Sequence, residues 1–109
     1  MFLKQNRLKR KKDFERIFKK GKSVKQDLFL VKYMENGLEL PRIGIVISKK
    51  VCPRAVERNL IKRRMREIIR KRIEQLGSKD IVIIALSGIN KNIEFSKLEN
   101  IIDNILEKL

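Results

Sequence analysis

Apolar positions along the chain change their spacing repeatedly, and each change predicts an element. Leu8, Phe14, Ile17 and Phe18 recur at helical spacing up to Gly21. They predict a short helix at about 12–20, with Asp13 as N-cap or first-turn acid and the glycine as its stop. The basic lead-in before it is expected to be partly disordered. "DLFLVKYME" follows, with Phe29, Val31 and Tyr33 on one side and Leu30 and Lys32 on the other. Its alternation and aromatic content predict a strand. "ENG" at 35–37 is a turn signal, and "LEL" is a candidate start of a second strand before Pro41. In "RIGIVISKK", Ile43, Ile45 and Ile47 alternate with Gly44, Val46 and Ser48. These runs are close enough in sequence to pair as an antiparallel hairpin or meander.

After Pro53 the spacing becomes helical again. Ile61, Met65, Ile68, Ile69, Ile73 and Leu76 make one apolar stripe, closed by Gly77 and Ser78. "KDIVIIALS" at 79–87 is nearly all apolar, as expected of a strand buried on both faces. Leu98, Ile101, Ile102, Ile105, Leu106 and Leu109 mark a last amphipathic helix. The order is helix, two or three strands, long helix, strand, helix. That is an α+β fold, a two-layer sandwich of one sheet with helices packed on it. At 109 residues the chain fits one domain over 1–109, without repeats or linkers.

Charge changes this picture most. The formal net charge is +15, and it is uneven: residues 1–74 hold 24 Lys or Arg against 8 Asp or Glu, residues 75–109 hold 4 against 5. A surplus of that size repels itself and favours a polyanionic partner. There is no run of about 18 apolar residues, and so no membrane span is expected. The N-terminus lacks the apolar stretch of a secretory signal, and a single cysteine, Cys52, allows no internal disulfide. The expected compartment is the cytoplasm.

The chain is poor in catalytic groups. It has no histidine, which rules out a Ser–His–Asp triad, and one cysteine cannot build a Cys-rich metal site. Gly37 and Gly44 are isolated, not part of a phosphate loop. No catalytic residue and no metal ligand is assigned. Binding is left. On the long helix Asn59, Lys62, Arg63, Arg66 and Arg70 fall on one side of the apolar stripe. From Arg58 to Arg70 they span about 18 Å, which reaches several backbone phosphates. Arginine forks match phosphate oxygens, and Asn59 can donate and accept against a base or a sugar hydroxyl. A merely solvated helix would mix signs, because like charges three and four apart oppose helix formation. Phe14 and Phe18, one turn apart, are either core or the walls of a groove where unpaired nucleotides stack.

"RLKRKKDFERIFKKGKSV" followed by "RIGIVISKKVCPRAVERNLIKRRMRE" resembles the protein subunit of bacterial ribonuclease P. The resemblance covers residues 7 to about 86. It implies an α-β-β-β-α-β-α order with a left-handed βαβ crossover through the long helix. It implies a protein that binds the catalytic RNA subunit and the 5′ leader of precursor tRNA and assists endonucleolytic maturation, with no stable protein partner required. The chemistry is then performed by the RNA with Mg2+ held mainly by that RNA. The positions matching the RNA-binding helix are Arg58, Asn59, Lys62, Arg63 and Arg66, to which the spacing adds Arg70. Those matching the leader cleft are Phe14 and Phe18, with Ser48 and Lys49 on the nearby strand. Lys32 takes, by register, the place of an inward aromatic, and Tyr33 points to the other face. Leu60 stands where the family usually has a basic residue, so one RNA interaction is either missing or supplied by Arg64 across the turn. The alternative reading is a structural or ribosomal-type RNA-binding protein without a role in cleavage.

Overall fold

The most apolar strand lies inside the sheet and decides its topology. In the computed structural model, which describes residues 4–109, the elements are α1 (Lys11–Lys20), β1 (Lys22–Gln26), β2 (Phe29–Glu35), β3 (Arg42–Val46), α2 (Ala55–Arg70), β4 (Lys79–Ala85) and α3 (Phe95–Glu107). Short 3-10 turns occupy Lys4–Asn6 and Ile73–Leu76. The strand order is β1-β2-β4-β3. β4 pairs antiparallel with β2 and parallel with β3. Its Ile81, Val82 and Ile83 are buried, as a strand covered on both faces requires.

This arrangement corrects three expectations. β2 and β3 do not form a hairpin with each other: β4 inserts between them, because its run of Ile81, Val82 and Ile83 is fully buried on both faces and needs cover from both layers. "LEL" is not a strand. The third strand of the front half is instead β1, whose "KSVKQ" has one apolar residue, half-buried Val24, and pairs with β2 as an edge. The long helix ends at Arg70, not at Gly77. The Arg72 side chain bonds back to the Ile68 carbonyl at 2.8 Å and ion-pairs with Asp103 and Glu99 of α3. The chain then continues as a 3-10 turn that still buries Leu76. Gly77, at φ +65, makes the reversal into β4.

One face of the sheet carries the main core. Phe29, Val31, Ile43, Ile81 and Ile83 pack there against Ile61, Met65 and Ile68 of α2 and Leu98, Ile102 and Ile105 of α3. The other face carries a thinner core of Leu8, Ile17 and Val82, flanked by Phe14, Met34, Val46 and Ile84. α1 therefore rests on the sheet through one fully buried side chain, Ile17. Gly21 ends α1 in an extended conformation. Glycine is needed there because a Cβ would come within 2.5 Å of the Ile17 carbonyl.

The hand of the crossover follows from one hydrogen bond. Ile43 faces α2, and its carbonyl accepts from the Leu8 N–H at 3.0 Å, on the strand edge away from β4. For an L-residue with its side chain toward the viewer and the chain running upward, N–H and C=O point right. β4 therefore lies to the left, and β3-α2-β4 is left-handed, against the right-handed rule that holds for about 98% of such units. The same bond corrects the expectation of a loose lead-in. Arg7 bridges to Ile43, and the Asn6 amide donates to the Pro41 carbonyl at 2.9 Å.

Candidate nucleic-acid interface

Three cross-strand rows organise the sheet face beneath α1. Alternation along the strands places Met34, Asp80 and Arg42 in one row, and Ser23, Lys32, Val82 and Gly44 in the next. The last row is Lys25, Leu30, Ile84 and Val46. α1 covers the first two. Ile17 seals Val82, and the Phe14 ring lies so close over Gly44 that a Cβ there would meet it at 2.7 Å. The third row lies beyond this cover: Leu30, Ile84 and Val46 are half-buried, with Lys25 exposed at the end. Phe18, one turn from Phe14, is 43% exposed, and the two rings stand 6.5 Å apart and tilted by 36°. The floor is thus a strip of apolar surface with two aromatic rings on α1 and lysines along the strands. Such a strip suits bases, which stack, joined by phosphates, which pair with cations.

At the open edge of β3 a cleft of about 280 Å³ is lined by Arg7, Phe14, Gly44, Ile45, Lys62 and Arg66, among others. It joins the α1 side of the sheet to α2. Phe14 therefore both packs against the second core and lines this cleft. Lys62 and Arg66 are half-buried here, and neither has an ion-pair partner among the described residues. Burial, and then the nearby Arg66 and Arg58 charges, hold the Lys62 ammonium below its ordinary pKa. Burial and the Arg7 charge do the same to Arg66. The cleft is thus a site of concentrated, unneutralised positive charge.

That strain has a sign. Between its depressed folded value and 10.5 the unfolded chain holds the Lys62 proton more tightly than the folded one, so this group makes stability rise with pH through that window. Below the window the penalty is constant. Lys62→Gln is therefore expected to raise the melting temperature at pH 7 by roughly 2–5 °C, the size that a fraction of a kcal/mol produces in so short a chain. Thermal melts in a low-salt buffer free of polyanions check this, and a lower melting temperature would contradict it.

The remaining α2 positions divide. Asn59 and Arg63 point to solvent and are exposed. Arg58 is engaged within the protein: its guanidinium donates to the Cys52 and Pro53 carbonyls at 2.9 and 2.8 Å and fixes the chain's entry into α2. Arg70 ion-pairs with Glu67 at 2.6 Å. Leu60 is half-buried, and Arg64 donates to the Lys91 carbonyl at 2.8 Å, tying α2 to the loop before α3. Ser48 and Lys49 are exposed just past β3, where Ser48 begins a turn by accepting from the Val51 and Cys52 N–H groups. Lys32 sits half-buried in the middle row, and Tyr33 faces the main core. Cys52 is buried, its thiol 3.7 Å from a Glu57 carboxylate oxygen.

Several contributors were not foreseen. Arg7 was missed because a basic run before a helix carries no periodicity. The apolar row was missed because its members come from three strands whose order in space differs from their order in sequence. Asp80 was missed because one acid in an apolar run gives no signal of its partners. Among the described residues, no three His, Cys, Asp or Glu side chains are grouped to hold a metal ion. No helix among them is long and apolar enough to cross a membrane.

Comparison with known proteins agrees with this geometry. The family model described as Ribonuclease P matches residues 2–109. A ribonuclease P protein component of Streptococcus pyogenes is 38% identical over 104 residues, covering 95% of this chain and 86% of the relative. One from Nitrosococcus oceani is 45% identical over 80 residues, covering 73% and 67%. The solved structure of the Staphylococcus aureus RNase P protein superposes with a TM-score of 0.86 at 36% identity, covering 94% of each chain. That of the Thermotoga maritima RNase P protein gives 0.79 at 32% identity, covering 94% and 96%.

Proposed function

We propose that this chain, which belongs to the ribonuclease P protein family, uses two adjoining surfaces for two RNA molecules. The protein is a subunit of the tRNA 5′-processing ribonucleoprotein, an endoribonuclease, and it associates with the RNA subunit of that particle. In our reading Asn59, Lys62, Arg63 and Arg66 of α2 meet the phosphates and sugars of that RNA subunit. Arg58 acts behind them by holding the helix entry, and Arg70, shared with Glu67, is a secondary contact. The precursor's single-stranded 5′ leader lies along the sheet face. Its bases rest against Phe14, Phe18 and the Leu30–Ile84–Val46 row, and its phosphates run beside Lys32, with Ser48 and Lys49 at the exit from β3. Lys62 and Arg66 stand at the boundary, where both RNAs come together.

The observation that carries this reading is the open apolar row beside two aromatic rings, next to a cleft whose cations lack acidic partners. A duplex could not present its bases to such a floor, whereas an unpaired strand can. We assign Mg2+ and the bond-breaking step to the RNA subunit. Among the described residues no three acidic, His or Cys side chains are grouped to hold a hard cation, and the surface in question is cationic. The protein then contributes by orienting the leader and by lowering the repulsion between two RNAs, so that less Mg2+ is needed for the same occupancy.

The test compares precursor and mature tRNA. Phe14→Ala is expected to weaken binding of leader-bearing precursor by about 5- to 150-fold, the size of one base–aromatic stacking interaction, and to leave mature tRNA nearly unaffected. Equal losses for both would point to a folding defect and against the leader reading. Stimulation of 5′ cleavage at low Mg2+ by the wild-type protein separates this function from that of a purely structural RNA binder.

A further inference from the structure

Among the described residues Asp80 is the only charged side chain that is fully buried, and nothing in the proposed RNA contacts uses it. It is the second residue of β4, on the sheet face beneath α1. Its carboxylate accepts from Arg42 Nε at 2.8 Å, Arg42 Nη2 at 2.6 Å, Asn36 Nδ2 at 3.0 Å and Arg16 Nη2 at 3.3 Å. Arg42 also reaches Asp13 at 3.3 Å, and Asp13 pairs with Arg16 at 3.4 Å. Two residues of α1 are thus tied by charge to β3 and β4. The apolar attachment of this helix is slight, one buried isoleucine and one half-buried phenylalanine. Its exposed side carries Lys11, Lys12, Lys19 and Lys20, which repel the rest of a strongly basic molecule.

We infer that the Asp80–Arg42–Asp13–Arg16 network is a latch that sets the height and tilt of α1 over the sheet. These four are positioning residues for leader recognition: they touch no RNA and act through Phe14 and Phe18. The inference rests on the leader reading above. The geometry gives it content. Asp13 and Phe14 are neighbours in sequence, so a guanidinium held on Asp13 at one side of α1 fixes the ring that lies on Gly44 at the other. Phe18, one turn on and 6.5 Å from the Phe14 ring, moves with the same helix. Screening by salt is weak for a network centred on a buried group, so the latch holds under conditions in which exposed phosphate contacts loosen.

The experiment uses the whole protein assembled with its RNA subunit. Removing Asp80 outright risks the fold, so the informative variant cuts only the α1 side: Asp13→Asn combined with Arg16→Met, which leaves the Arg42–Asp80 pair inside the sheet. The ratio of mature tRNA Kd to precursor Kd is expected to fall by about tenfold, equivalent to about 1.4 kcal/mol. Affinity for the RNA subunit should stay within twofold, and Arg16→Lys, which keeps the charge, should restore most of the ratio. A folded double variant with the wild-type ratio overturns the latch. So does a parallel loss of both affinities, which would mean general destabilisation. If the wild-type protein itself shows no preference for the leader, the reading beneath the inference fails with it, and that outcome is seen before any variant is made.

Discussion

Asp80→Ala is expected to lower the free energy of unfolding by about 3–5 kcal/mol, the cost typical of removing one partner from a buried ion pair. Most of that cost lies in what is left behind. Arg42 is only partly exposed and would keep a guanidinium whose ordinary pKa is raised first by its bonds to Asp80. Asn36 would lose one of its three side-chain bonds and retain those to the Leu40 carbonyl at 3.0 Å and from the Leu38 N–H at 2.8 Å. Small domains have about 5–15 kcal/mol in total, so this substitution alone can bring the protein near its threshold. Urea unfolding followed by circular dichroism measures it. The companion variant Asp80→Leu with Arg42→Met replaces the pair by apolar groups of similar volume and should recover most of the loss, since no buried charge is then orphaned. If the double variant is as unstable as Asp80→Ala, the pair contributes more than the avoidance of an unpaired charge.

The second large effect lies in binding. Lys62→Ala together with Arg66→Ala is expected to reduce affinity for the RNA subunit by about 10- to 100-fold near 100 mM salt. It should also flatten the slope of log K against log salt by about 1.4–1.8, for two phosphate contacts removed. The same variant should be more stable than wild type, because both cations sit in the cleft at a desolvation penalty with no acid beside them. Opposite signs in the two measurements are the specific expectation. A fall in both would mean that the side chains pack more than they bind, and an unchanged slope would mean that neither reaches the RNA backbone.

Periodicity made the helices legible. Ile61, Met65, Ile68 and Ile69 sit on the buried side of α2 as their spacing required, and Leu98, Ile102 and Ile105 do the same on α3. Strand partnership was not legible. Nearness in sequence favoured β2 beside β3, yet side chains on both faces of β4 had to be covered, and only a central position covers them. β1 was invisible because an edge strand with one half-buried apolar residue has no pattern to read. At the interface, residue type and helical spacing picked out Lys62 and Arg66. They could not tell that Arg58 is occupied by the turn at Cys52 and Pro53, or that Arg70 has its own carboxylate. Those facts depend on backbone carbonyls and rotamers, which residue spacing does not encode.

The central place of β4 has a consequence for how the molecule is made. Leu30 waits for Ile84, and Ile43 for Ile81. Until the chain has been synthesised past Ala85, β1 and β2 form at most a two-stranded ribbon, which is marginal in water, and β3 has no neighbour in the sheet. The strongly basic first two-thirds therefore leaves the ribosome before it can close around a core. A nascent chain of this protein therefore carries most of its positive charge before the strand that closes its sheet has been made.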